Sequence, residues 1–354
     1  MPNAEDCPPG PRSPTASPAP LPVSARSPSA RLRLVLVAAL GLALVAWLVT
    51  HIGLRAVLAA AGSIGAGGFG LLCALSFVVL AVLGPAWYVL LPPASHPSLR
   101  VVLWARMVRD AASESLPFSQ VGGMVFGVRA AALFHMPTRL SVASMIVDVT
   151  TELIAQLLYV GFGLLLLSSH AHSQAAALFE RSILAGLLLA AVGGVAFLAL
   201  QRQGFSWLSD RLAGRIFPAS VAYMSGIAAH LRDIHRAPLR LLLSVCIHFC
   251  AWTAAALTTW VAFRLIGQSV SIGAAITLES LVYALRSLAF FVPNALGVQE
   301  AAYTLIAPMV GIGREYALAV SLLRRARDIA VGIPVLLCYQ LLEGRRAVSR
   351  RALS

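Results

Sequence analysis

Apolar residues in this chain run in long unbroken stretches. They show neither the alternation of a half-buried strand nor the three-to-four spacing of a surface helix. The stretches at 32–50, 66–91, 141–168, 182–200, 239–263 and 315–341 each approach or exceed the roughly 20 residues that a spanning helix needs. Two further stretches are apolar but broken. The first runs from 99 to about 134 and holds Arg106, Arg109, Glu114, Pro117, Gly122, Gly123 and Arg129. The second, about 274–310, holds Glu279, Arg286, Pro293, Gly297 and Glu300. Charge at membrane depth costs roughly 2.5 kcal/mol or more per group unless it is paired or wetted. Proline removes a backbone donor and glycine tolerates left-handed geometry. Pro117 to Gly123 and Pro293 to Gly297 therefore predict chain reversals inside the membrane. Backbone of that kind survives there only when buried in protein or lining water.

The pattern predicts an all-α polytopic membrane protein with about six spanning helices plus two broken re-entrant hairpins in an inverted repeat. Repeat one is expected at 32–168 and repeat two at 182–341, within a membrane domain at 32–342. Each half reads span, span, broken element, span. That gives an odd number of crossings whether the broken element turns back or crosses twice, so the halves must be inverted. The hairpins then enter from opposite faces, as in many alternating-access carriers.

Composition agrees. Of 354 residues, 59% are hydrophobic and 12% charged, and the mean hydropathy is +0.83. The net charge of +13 comes from 27 arginines, with no lysine. Such a balance can signal nucleic acid. Here the arginines lie mostly in alternate loops, so no nucleic-acid partner is expected. Segments 1–31, 92–140, 201–240 and the basic tail 343–354 hold most of them and are predicted cytoplasmic, together with both termini. Residues 1–30 include nine prolines and form a predicted disordered tail. Residues 204–238 carry a candidate amphipathic surface helix within a basic loop. Cys7, Cys73, Cys246, Cys250 and Cys338 make no Cys-x-x-Cys and read as packing residues.

Asp148 and Glu152 sit four apart, on one face of a helix. Bare, they would repel, so an arginine pairs with them or one holds a proton. Arg106, Arg109 and Arg129 are the candidate partners. The cluster reads equally as a substrate or proton site and as a structural ion cluster. Arg324, Arg325, Arg327 and Asp328 fall in the last span and cannot face lipid. Arg324 and Asp328 have the spacing of an intrahelical pair. Glu279 and Arg286, seven apart, share a face. His248 stands alone in its span. No zinc spacing, nucleophile elbow or phosphate loop is present, so no metal, cofactor or enzymatic activity is expected.

Pro117, Val121-Gly122-Gly123, Arg129, the acidic span at Asp148 and the run Phe290 to Ala302 resemble the membrane domain of lysylphosphatidylglycerol synthase and flippase proteins, over about 32–342. In the second run the family pattern is Pro, Gly-Val, a polar residue, then Glu: here Pro293, Gly297-Val298, Gln299 and Glu300. Phe291 to Ala302, with Leu322 to Asp328, looks most like the hopanoid-associated branch. The resemblance implies handling of a membrane lipid in the bacterial inner membrane, with a hopanoid the implied substrate. Synthase members carry a C-terminal aminoacyl-transfer domain. No segment of these 354 residues matches one, so lysyl transfer is not expected. Gln299 stands where many relatives have arginine, which suits a less anionic lipid. The expected function is a lipid carrier or flippase. Its alternatives are a non-catalytic partner of a lipid-synthesis or export complex and an intramembrane headgroup enzyme. A homo-oligomer is left open.

Overall fold

The computed structural model describes residues 62–93, 97–115, 119–168, 188, 218–289, 295 and 297–352. The expected spans at 32–50 and 182–200, the N-terminal tail, Pro117 and Pro293 lie outside these residues. The structure is 88% helical, without strands among the described residues. The helices are α1 (Gly65–Tyr88), α2 (Leu99–Ser115), α3 (Ser119–Ala132), α4 (Thr138–Ser168), α5 (Pro218–His235), α6 (Pro238–Leu265), α7 (Ile272–Leu288), α8 (Val298–Ile306) and α9 (Arg314–Ala352). A short 3-10 turn, Ala307–Val310, links α8 to α9. Three of them, α1, α4 and α6, are long and apolar enough to cross a membrane. The chain is thus an all-α membrane protein.

Local chemistry sets the ends. α6 starts on Pro238, where the missing N–H costs nothing. α7 is capped by Ser271, whose hydroxyl accepts from the Ala274 N–H at 3.1 Å. α8 starts at Gly297, whose φ of +74° only glycine adopts freely. Glu300 then reaches back to accept from the Gly297 N–H at 3.0 Å.

The order long helix, two-limbed hairpin, long helix occurs twice, as α1, α2–α3, α4 and as α6, α7–α8, α9, with α5 between the two sets. Each hairpin has its own apolar core. Val102, Ala105, Val108, Ala130 and Met145 pack around the first. Leu278, Leu281, Tyr303, Ile306 and Val320 pack around the second.

Three expectations change, and one is met in part. Gly122 and Gly123 do not mark the first reversal; they lie inside α3. The reason Gly123 is glycine is contact. A Cβ there would stand 2.6 Å from the Arg109 carbonyl oxygen, and one at Gly127 would stand 2.8 Å from the Met145 methyl. The pair forms the small-xxx-small face that lets membrane helices approach closely. The amphipathic helix expected within 204–238 is present over Pro218–His235, where Ile227, Leu231 and Ile234 bury against Leu90, Ala143 and Val147. The last helix does not stop at 341, since α9 continues to Ala352. Finally, His248 is not alone, as described below.

Candidate functional site

Arg106 and Arg109 lie three apart on α2 and face α4. Asp148 and Glu152 lie four apart on α4 and face back. Arg106 donates to Asp148 at 2.7 Å, to Glu152 at 2.7 Å and to Asp110, one turn on, at 2.9 Å. Arg109 donates to Asp148 at 3.1 Å and to Glu152 at 2.7 Å. His248 of α6 approaches the other Asp148 oxygen through Nε2 at 3.1 Å. Arg106, Arg109, Asp148 and His248 are all essentially buried. Such groups must be paired, because an uncompensated buried charge costs several kcal/mol.

A second cluster surrounds Glu279 of α7, which is fully buried. Arg324 of α9 donates to it at 2.5 Å and Thr259 of α6 at 2.5 Å, and the Tyr303 hydroxyl completes the shell. Arg324 also donates to the Tyr283 hydroxyl at 2.5 Å. The expected Arg324–Asp328 pair is not formed. Arg324 turns to buried Glu279, and Asp328 accepts from neighbouring Arg327 at 2.7 Å. Arg325 bonds Glu300 at 2.7 Å. Gln299 is also buried and donates to Ser321 Oγ at 3.1 Å, so it serves the α8–α9 contact.

The two clusters occupy the same register. Arg106 and Glu279 are each the eighth residue of their hairpin limb (99 to 106, 272 to 279). Their partners Asp148 and Arg324 are each the eleventh residue of the long helix that follows (138 to 148, 314 to 324). Both halves therefore carry one ion pair at one place, with the signs exchanged.

Between the clusters lies a cavity of about 220 Å³, bounded by α1, α2, α4, α6, α7 and α9. Arg106, Arg109, Asp110, Glu114, Glu152, Arg324, Arg327 and Asp328 form its charged side. Val79, Leu80 and Leu83 of α1 and Val331 and Val335 of α9 form an aliphatic side. Of the residues singled out in the sequence, Arg286 stands behind Glu114, Glu300 and Arg325 pair beside α8, and Asp148 and Glu279 lie behind the wall. Arg129 is elsewhere. It is half exposed and pairs with Glu343 on α9, because its place near the C-terminal end of α3 turns it from Asp148. Trp252 and Tyr283, absent from the sequence argument, line the cavity in edge contact, with ring centroids 4.3 Å apart. Neither has a charge or break to draw attention. His248 could have been found, since a histidine in a span needs a partner.

Fold and site together define a polytopic helical membrane protein with a cavity that is charged on one side and aliphatic on the other. The chain belongs to the lysylphosphatidylglycerol synthase transmembrane family: the model described as "Lysylphosphatidylglycerol synthase TM region" matches residues 32–335. No curated protein and no solved structure matches the chain. Family and apolar helices tie it to membrane lipid biology.

Proposed function

We propose that this protein is a carrier or flippase for an amphipathic, hopanoid-related lipid in the bacterial inner membrane, with both termini cytoplasmic. The observation that carries the reading is the divided wall of the cavity: charged on α2, α4 and α9, aliphatic on α1 and the later turns of α9. A headgroup can exchange its hydration for the charged side. The apolar body stays among acyl chains and aliphatic side chains, so its hydrophobic stabilisation is retained. The recurrence of long helix and hairpin, with the ion pair at matching register, supports a two-repeat carrier whose halves are inverted.

The test is lipid distribution. Deleting the protein should leave hopanoid synthesis intact and shift the ratio of hopanoids between separated inner and outer membranes. An unchanged ratio with less total lipid would place the protein in synthesis. An unchanged ratio and total would remove the hopanoid substrate.

A further inference from the structure

The cluster around Asp148 differs from the other ion groups of the fold in its charge balance. Arg286 with Glu114, Arg324 with Glu279, Arg325 with Glu300 and Arg327 with Asp328 are balanced one to one. Around Asp148, two guanidiniums, Arg106 and Arg109, meet three carboxylates, Asp110, Asp148 and Glu152. One negative charge is left over at membrane depth, where such a surplus is expensive. The sixth member is an imidazole, the side chain best suited to gain or lose a proton in the physiological range.

The hydrogen bonds fix which atom would take it. Asp148 accepts from two arginines and is therefore an acceptor toward His248 as well. Nε2 must then carry the hydrogen in the 3.1 Å bond. Nδ1 is left with its lone pair, buried and without a partner among the described residues. We propose that His248 Nδ1 is a proton-binding site, and that loading and unloading it couples the carrier cycle to the proton gradient. A hydronium ion gives its proton to Nδ1: one O–H bond breaks, one N–H bond forms, and a water molecule is left in the cavity. The cluster passes from one net negative charge to none.

The surroundings suit this role. From α4, Asp148 bonds the ring; around it stand Arg106, Arg109 and Asp110 of α2 and Glu152 of α4. Across the cavity, α9 brings Arg324, Arg327 and Asp328, and α7 brings Tyr283. α1 offers no charged side chain. On α5, His235 is bonded through Nδ1 to the Leu231 carbonyl. Asp110 and Glu152 line the cavity with side chains 24% and 16% exposed, whereas His248 is 0% exposed. Protons can thus collect at the cavity carboxylates but reach Nδ1 only when the cluster loosens. That occlusion is what coupling requires, since a site open to both faces would leak.

The proton site stands on this geometry alone; its coupling to lipid movement rests on the carrier reading. Two measurements separate them. The first is nitrogen-15 NMR of histidine-labelled protein in bilayers, with the His248 signal assigned by its loss in His248→Gln, or in His248→Asn if that variant fails to fold. Acidification from mildly alkaline to mildly acidic buffer should convert this ring from neutral to imidazolium, and Asp148→Asn should suppress the conversion. A ring that stays neutral throughout overturns the proposal, whatever the lipid does. The second follows a fluorescent lipid in proteoliposomes under an imposed pH gradient. One coupled proton gives up to about a tenfold bias in lipid distribution per pH unit, and His248→Gln should abolish the bias while lipid still equilibrates. A wild-type distribution indifferent to the gradient overturns the coupling. If His248 titrates but no protein moves lipid, the proton site is upheld and the carrier reading fails.

Discussion

Glu114 and Arg286 join the two hairpins. Each stands in the last turn of its first limb, and one Arg286 nitrogen donates to both Glu114 oxygens, at 2.9 and 3.1 Å. The pairing offsets an unfavourable placement, because an acid at a helix C-terminus opposes the helix dipole. It also links α2 and α7 across 172 residues, beside the cavity.

Exchanging these charges should therefore be self-correcting. Glu114→Arg alone sets two arginines against each other. The double variant Glu114→Arg with Arg286→Glu should recover about 1–3 kcal/mol of that loss. Thermal melts of the four proteins in one detergent measure the coupling. Strictly additive shifts would show that the bond contributes nothing.

Asp148 serves three partners at once, which makes its loss severe. Asp148→Asn keeps the shape but removes the charge that holds Arg106 and Arg109. Arg106 keeps Asp110 and Glu152 and Arg109 keeps Glu152, so the change should destabilise by about 1–3 kcal/mol, the cost of charge-assisted hydrogen bonds lost in a buried place. Adding Arg109→Gln to Asp148→Asn should cost less than the two single changes combined, since both remove the same Arg109–Asp148 bond. Chemical denaturation of the purified variants would show this, and full additivity would contradict the shared network.

These pairs mark the limit of what the sequence could convey. Arg106, Arg109, Asp148 and Glu152 were legible as partners, since charges in a span must meet something and their spacings put them on single faces. That each broken stretch holds two helical limbs was legible as well, because proline and glycine interrupt the backbone hydrogen bonding of a helix. The exchanged-sign register of Arg106–Asp148 and Glu279–Arg324 was not. Pairing depends on which helix faces which, and apolar periodicity is silent about that. Arg324 illustrates the point: its local spacing pointed to Asp328, yet fully buried Glu279 holds it. Gly123 was read as a turn because glycine permits turns. It serves close packing instead, and Gly127 four residues later was the available clue.

Glycine substitutions should separate packing from permissiveness. A Cβ at Gly163 would lie 1.7 Å from Ser280 Oγ, and one at Gly123 would meet the Arg109 backbone. Gly163→Ala and Gly123→Ala should each destabilise by about 1–3 kcal/mol through overpacking. Gly161, in the same helix as Gly163, has open space around it. Gly161→Ala should be neutral or stabilising by up to about 1 kcal/mol, as helix propensity predicts. Equal melting temperatures for the three variants would disprove the contact argument.

Opposite entry of the hairpins can be read by labelling. Leu116→Cys and Asn294→Cys flank the two prolines. In a background freed of the native cysteines, including Cys73, Cys246, Cys250 and Cys338, a membrane-impermeant thiol reagent should reach the first position from the cytoplasmic side and the second from outside. Labelling of both from one face would remove the inverted repeat and, with it, the alternating-access part of the proposed function.

The cavity itself can be filled without touching a charge. Gly332 lies on the α9 wall, and a Cβ there meets only Ala111, at 3.8 Å or beyond. Ordinary contact distance means that the first carbon fits, so Gly332→Ala should fold and function normally. Gly332→Leu projects three more carbons into a space of about 220 Å³. The intruding chain adds apolar contact with Val335 and Leu83, so stability should fall little, if at all. The same chain occupies the aliphatic side, where the lipid body would have to lie. Hopanoid distribution in separated membranes should then resemble that of the deletion strain, with the protein present at normal abundance and melting temperature. A Gly332→Leu strain with a normal distribution would show that the lipid does not pass through this cavity, because no other change in the variant could keep the path open once its apolar half is filled.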